Sequence, residues 1–440
     1  MNKSPRDIIL HTPMGALQIV AIALCIGLTA LDGFDVLSIS FASPGIAAEW
    51  GVDRGVLGVI LSAELIGMAL GSAVIGNVAD KVGRRPTILG CLIVMIGGMI
   101  LAATAGAVAP LLVYRFCTGL GIGGMLASVN AMTAEYSNAK RRNLAVTLMA
   151  AGYPAGVIFG GTIASMLLRS YDWPSVFVFG AILTACFLPL VWYFMPESIE
   201  FLQHKRPPGA LERINRTLGR MGHAAVDALP VESDDKPKHS VMRLFSPGMA
   251  KMTVLLTLAY FAHIMTFYFY IKWIPKLVVD MGFHPSSAGG VLVWSNVGGI
   301  SGAILLGLLT QKFGVRGLVI ITMVFATVFV AAFGHTPADL SSLSLVAAAA
   351  GFFTNAGIVG LYAMFAQSFP TELRASGTGF VIGVGRGGAA LAPIVAGYLF
   401  VAGMGLPAVS LIMGSGSLLA IVMLVLLKYR EPTHEIASGD

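Results

Sequence analysis

The chain has 440 residues, of which 56% are hydrophobic and 11% charged, with a mean hydropathy of +0.82. That balance lies outside the range of soluble domains and excludes a soluble globular protein, so the chain belongs in a bilayer. The formal net charge of +6 follows from the placing of loop charges described below, and it implies no nucleic-acid partner.

Twelve apolar stretches follow one another, near residues 15–41, 54–78, 87–107, 109–133, 144–168, 174–195, 251–275, 286–309, 317–334, 339–364, 375–399 and 405–428. Each is long enough as a helix to cross a hydrocarbon core about 30 Å thick. The first stretch is too long for a signal peptide and lacks a small-residue cleavage site, so it reads as a retained helix. Its centre, "GLTALDGFDVLSIS", carries Asp32 and Asp35. The second stretch carries Glu64 and runs into "GNVADKVGRRP"; the fourth carries Arg115 six residues past its start. Cys25, Cys91, Cys117 and Cys186 all fall inside apolar stretches without metal-ligand spacing and read as small core residues.

A polar stretch over 196–250 divides the spans six and six, giving an N-terminal bundle (1–195), a linker (196–250) and a C-terminal bundle (251–440). The linker contains "ESDDKPK" and an amphipathic piece, "ALERINRTLGRMG", read as a helix lying at the membrane surface. With both termini on one side, the loops of that side hold 22 of the Lys and Arg residues and the opposite loops only Arg54, Arg169 and Lys276. The richer side stays in the cytoplasm, which places both termini inside.

The halves repeat. "GNVADKVGRRP" at 76–86 returns as "GLLTQKFGVRG" at 307–317, and "EYSNAKRR" at 135–142 overlays "QSFPTELR" at 367–374. The fold expected is therefore all-α and membrane-integral, with twelve transmembrane helices in two pseudo-symmetric six-helix bundles that flank a central site and rock about it.

Charges inside the spans point to that site. Each costs at least about 2.5–3.5 kcal/mol at the bilayer centre, so such residues face a cavity, find a partner and serve function. At about 1.5 Å of rise per residue, Asp32, Asp35 and Arg115 share one level. Positions three apart share a helix face, so both aspartates point inward, with Arg115 the nearest counterion. Two carboxylates need only one arginine, which assigns one of them a titrating role in a coupled pair that carries protons; a purely structural ion pair is the alternative. Glu64, His263 and Arg386 stand near the midplane, and Glu64 joins Asp32, Asp35 and Arg115 as a proton-coupling candidate, with a neutral acid bonded to a neighbouring backbone or hydroxyl group as its alternative. Adding the repeat offset to Asp32 gives His263, a second proton-handling candidate, with a plain helix-to-helix hydrogen bond as its alternative. Arg386 offers a charged planar fork suited to a carboxylate.

At this point the residues resemble a family. Gly76, Asp80, Gly83, Arg84 and Arg85 after the second span, with "RFCTGLGIGG" in the fourth, are similar to the major facilitator superfamily. Within it, "DGFD", "PESIEFL" and "GVGRGGAALAP" resemble the aromatic acid:proton symporters. Glu64 lies outside that family's pattern. The resemblance implies a secondary transporter, with no catalytic residue or cofactor beyond the coupling proton, that imports a small aromatic carboxylic acid as a monomer in a bacterial inner membrane. A sugar-acid or other organic-anion symporter is one alternative; a drug/proton antiporter is another, though "AAGYPAGVIFGG" fits the efflux signature only in part.

An aromatic acid needs flat apolar walls. Tyr153, Tyr268 and Asn296 are the lining candidates beside Arg386. Tyr270, Trp273 and Trp294 stand in the same two spans, with Tyr270 and Trp273 read as interface-belt residues. Lys272 either snorkels outward or binds substrate. The loop motif reads as a gate in which Asp80 meets the start of the eleventh span and Arg142, with Glu135 nearby. Gln311 and Gln367 replace Asp80 and Glu135 in the second half, so the latch is expected to be one-sided.

Overall fold

The computed structural model describes residues 4–229, 241–310, 312–370 and 373–427. "ESDDKPK", Gln311 and the C-terminal tail, each used in the charge and latch readings above, lie outside the described residues. A short helix α1 (Pro5–His11) precedes six long ones: α2 (Ala16–Trp50), α3 (Arg54–Val82), α4 (Arg84–Ala103), α5 (Val108–Tyr136), α6 (Arg142–Leu167) and α7 (Pro174–Phe194). Two short helices, α8 (Ile199–Lys205) and α9 (Ala210–Arg220), follow. Then come α10 (Ala250–Asp280), α11 (Pro285–Leu309), α12 (Val315–Phe333), α13 (Leu340–Ser368), α14 (Arg374–Val401) and α15 (Leu406–Leu426). Twelve of these described helices are long and apolar enough to cross a membrane.

The expected spans are all present, and the first is longer than expected. α2 continues past residue 41 through Pro44 to Trp50. Proline offers no N–H to the carbonyl of Ser40, and the Ser43 hydroxyl supplies the missing donor at 2.9 Å. The helix ends at Gly51, whose φ of 60° suits the left-handed cap. At the same end of the molecule, α13 starts on Asp339, whose carboxylate accepts from the backbone N–H of Ser342 at 2.8 Å. That bond holds the Asp339 carboxyl below its usual range.

The repeat persists in three dimensions. Helix starts at Arg84, Val108, Arg142 and Pro174 in the first half are matched at Val315, Leu340, Arg374 and Leu406 in the second, offsets of 231 or 232. Close packing repeats with it. A Cβ on Gly119 of α5 would stand 2.1 Å from the carbonyl oxygen of Glu64 in α3, and a Cβ on Gly351 of α13 2.0 Å from that of Ser295 in α11. Only glycine lets these backbones approach so closely, the usual device where two helices meet in lipid.

The halves meet through α14 on α3, α11 on α6 and α10 on α2. Their tight contacts gather at the end away from the linker, here called the distal end. There Gly58 of α3 abuts the Pro393 backbone of α14, Gly397 of α14 abuts the Arg54 backbone, and Gly289 of α11 abuts Ser165 and Phe41. Arg54 pairs with Asp280 at 2.8 Å and lies over the Phe400 ring at 4.7 Å. Toward the linker end, positions such as Gly379 and Gly383 of α14 have open space around them. The protein is thus closed at the distal end and open toward the linker.

The amphipathic helix differs from expectation. Ile214 and Leu218 of α9 are fully buried in the core that also holds Ile9 and Leu17, so its apolar face is covered by protein instead of lipid. The turn that follows is tied in place: Asn215 bonds both backbone groups of Val226 at 2.9 Å, and His223 reaches Gln18 at 2.9 Å. Burial pushes the His223 imidazole below its usual range, which favours the neutral ring in that contact.

Candidate functional site

Asp32 and Asp35 occupy one side of α2 and are buried. None of their four carboxylate oxygens has a hydrogen-bond partner among the described residues, and neither carboxylate has an ion pair there. The expected pairing with Arg115 is therefore corrected. Arg115 is fully buried, places Nη2 2.5 Å from Oε2 of Glu64, and donates to the backbone carbonyl of Asp35 at 2.9 Å. Its guanidinium also stands 5.2 Å from the Phe177 ring centroid. Local sequence explains the choice. Gly119 brings α5 onto the backbone of Glu64, and Arg115, four residues earlier on the same face, gives its charge to that carboxylate and reaches α2 only at the Asp35 backbone carbonyl.

Lys272 corrects a second expectation. It does not snorkel: it is fully buried, donates to the carbonyl of Val36 in α2, and lies 3.9 Å from Oε2 of Glu64. Tyr270 and Trp273 are likewise no interface belt. Tyr270 donates to the carbonyl of Ala347 at 2.7 Å, and Trp273 is buried against Phe400 at 5.2 Å. Trp294, by contrast, is exposed.

His263 does not join the cluster. It is buried inside the second half, where Nε2 donates to the carbonyl of Thr354 at 2.9 Å and Nδ1 accepts from Ser417 at 2.9 Å. A carbonyl acceptor fixes that tautomer, and the ring acts as a bridge between α10, α13 and α15. Asn296 is buried and donates to Leu292 on its own helix at 3.0 Å.

Arg386 is half-buried and has no carboxylate within 4.0 Å among the described residues. The glycines beside it allow its placing: a Cβ on Gly388 would stand 2.4 Å from the carbonyl of Phe261, so α14 lies directly on α10. Arg386 lies near Asp32 of the other half and near Tyr268 and Tyr260 of its own. The Tyr153 hydroxyl is buried, and Tyr268 is its phenolic neighbour across the interface. One unpaired guanidinium, the Asp32 carboxylate and two phenols therefore converge between the halves, while Asp35, one turn along α2, lies against α7 within the first half, its Oδ1 beside Gly180. They can take a carboxylate on Arg386, an aromatic ring beside the tyrosines, and protons on the aspartates.

The gate residues group differently from the expectation. Asp80 is exposed and makes no ion pair among the described residues, and Arg142 lines a shallow cleft with Arg6, Glu135 and Glu200. Gly76 is half-buried, its nearest foreign neighbour Ala127. Arg84 pairs with Glu135 at 2.8 Å, and Arg85 donates to the Trp192 carbonyl; both contacts stay within the first half. The unforeseen member is Glu197. Its carboxylate accepts from the backbone N–H groups of Arg84 and Arg85 at 2.9 and 3.3 Å, capping α4 where Gly83 turns with φ 113°. The signal was present in "PESIEFL", whose acids needed a helix start to cap.

The Major Facilitator Superfamily profile matches residues 24–226 and 256–439. The chain is 30% identical to the gallate transporter of Pseudomonas putida over 93% of its own length and 91% of that protein. It is 30% identical to the 4-hydroxybenzoate transporter PcaK of Pseudomonas putida over 86% and 85% of the two chains. It is 29% identical to the 3-(3-hydroxy-phenyl)propionate transporter of Escherichia coli over 96% of each. Among solved structures, a partially occluded inward-open form of the xylose transporter XylE from E. coli superposes with a TM-score of 0.73 at 17% identity, covering 94% of this chain and all of that one.

Proposed function

Given that the chain belongs to the Major Facilitator Superfamily, and is a transporter and no enzyme, we propose that it imports a small aromatic carboxylic acid together with protons. The observation that carries this is Arg386, a half-buried guanidinium without a carboxylate partner among the described residues, set near Asp32 of the other half and near Tyr268, which in turn neighbours Tyr153. A fixed planar cation awaiting an anion suits a carboxylate, and the phenols suit a ring. The substrates of the relatives, gallate, 4-hydroxybenzoate and 3-(3-hydroxyphenyl)propionate, favour an aromatic acid over a sugar acid or a drug cation.

In this reading residues 1–195 and 251–440 rock about the site as two bodies joined by 196–250, and a single chain suffices. The linker end faces the cytoplasm of a bacterial inner membrane, as the loop charges favour, so the form described here is open inward. Asp32 and Asp35 take protons from outside, Arg386 holds the acid, and both are released inside.

Purified protein in liposomes, given labelled 4-hydroxybenzoate and an acid-outside pH step, should accumulate it, and a protonophore should abolish accumulation. A thermal-shift screen over benzoate, hydroxybenzoates, gallate, phenylpropanoids, muconate and sugar acids identifies the acid to use. Accumulation that ignores the protonophore would remove proton coupling, and stabilisation by sugar acids alone would remove the aromatic class.

A further inference from the structure

The repeat leaves the charged cluster lopsided. Residue 64 is glutamate in the first half and Ser295 stands at the matching position of the second, each against its own close glycine. Arg115 likewise finds Ala347 at its counterpart. The second half contributes a different cation to the cluster, Lys272, which crosses the interface from α10 to reach α2 and α3. Two consecutive carbonyls of α2 are occupied from opposite halves, Asp35 by Arg115 and Val36 by Lys272. Glu64 lies between the two cations, 2.5 Å from one and 3.9 Å from the other, and offsets their repulsion.

Position decides what this contact does. Lys272 lies eight residues before the distal end of α10 and Glu64 ten residues after the distal start of α3, about 12 and 15 Å in. Arg386 is fifteen residues from the distal end of α14, about 22 Å in. The Lys272 contact therefore roofs the Arg386 site on the distal side, beneath the seam made by Gly58, Gly289 and Gly397. The distal end cannot open without drawing α10 away from α2 and α3, and hence Lys272 away from Val36 and Glu64.

We infer that Lys272 is the distal gate pin of the transport cycle: its ammonium, held by Glu64 and the Val36 carbonyl of the opposite half, sets how long the distal end stays closed. This rests on the alternating-access reading above and adds to it a residue pair that neither binds substrate nor carries the proton. It assigns Glu64 a task the superfamily resemblance leaves open. Glu64 keeps Arg115 in both states and holds Lys272 in only one. The two cations are therefore unequal partners of one carboxylate, the nearer permanent and the farther exchangeable.

The test measures distal closure directly. In a background with the four cysteines replaced by alanine, spin labels are placed through Tyr171→Cys and Met404→Cys, both exposed in distal loops of opposite halves. Distances are read by pulsed electron paramagnetic resonance without substrate. Lys272→Met should raise the long-distance, distal-open fraction about tenfold, as loss of one charge-assisted contact implies. Glu64→Gln should do the same, the double variant should do no more than either, and Lys272→Arg should stay near wild type. An unchanged distribution in Lys272→Met overturns the proposal; so does a normal distribution in Glu64→Gln, or additive effects in the double variant. If Glu64→Gln does not fold, the contrast between Lys272→Met and Lys272→Arg decides alone. Because the readout needs neither substrate nor a proton gradient, it can fail while proton-coupled uptake stands, and it can succeed while uptake of aromatic acids fails.

Discussion

Glu64 receives the guanidinium of Arg115, with Nη2 2.5 Å from Oε2, and so leaves Asp32 and Asp35 without an ion pair among the described residues. The pair is fully buried, so removing one member strands a charge, at a typical cost of about 3–5 kcal/mol. Arg115→Gln and Glu64→Ala should each lower the unfolding temperature clearly, and the double variant should lose less than the two losses added. Thermal unfolding in detergent checks this, and simple additivity would show that the two side chains do not act as a pair.

Asp32 and Asp35 present the opposite case. Buried carboxylates without hydrogen bonds are tolerated for function and contribute nothing to packing that asparagine could not. Asp32→Asn and Asp35→Asn should keep or raise thermal stability while abolishing uphill uptake, and at least one should retain substrate exchange between the two sides. Normal accumulation against a gradient in both variants would end the proton-site reading.

Composition and period revealed the membrane class, the twelve helices and the repeat, because each of those depends on runs of residue types and not on partners. The location of the charged cluster was equally legible, since a charge in an apolar run stands out by itself. Pairing was not legible. Depth along a helix placed Arg115 level with both aspartates, yet the deciding variable was the closeness of α5 to α3, set by Gly119 against the Glu64 backbone. Lys272 and His263 show the same limit from two sides. Each is a lone polar residue in an apolar helix, and only the rotation of that helix decides that one crosses the interface and the other faces Ser417 and Thr354.

Arg386 is read as the holder of the substrate carboxylate through a two-pronged contact that lysine cannot reproduce. Arg386→Lys should weaken binding at least about tenfold, the loss of roughly one charge-assisted hydrogen bond, while the protein remains folded and monodisperse. Equilibrium binding of the best acid from the thermal-shift screen measures it. Unchanged affinity would remove Arg386 from the site.

Asp80 makes no ion pair among the described residues in a form that is open at its own end of the molecule. A latch that closes that end would be disengaged here, so Asp80→Asn should cost this form nothing and should destabilise its counterpart. The population therefore moves toward the linker-open form, and single cysteines at Asn77 and Asn130, both exposed near that end, should label faster. Equal labelling rates in wild type and Asp80→Asn would leave the acid without a latching role.

The proton count follows from the same charges. A benzoate-like substrate brings one negative charge, and Arg386 can neutralise it without taking up a proton. With one proton per monoanion the cycle is electroneutral and gains only from the pH gradient, about 1.36 kcal/mol per unit. With two, each cycle carries one net positive charge inward and gains about 2.3 kcal/mol more per 100 mV. Asp32 and Asp35 are both free of ion pairs among the described residues, while Glu64 is committed to Arg115 and His263 to Ser417 and Thr354. Two uncommitted carboxylates three residues apart on α2 favour two protons. Liposomes with equal pH on both sides and a potassium diffusion potential, negative inside, should therefore accumulate substrate, and adding substrate should produce an inward current. Accumulation under a pH gradient but none under the potential would establish a one-proton cycle and leave the second aspartate the task of tuning the first.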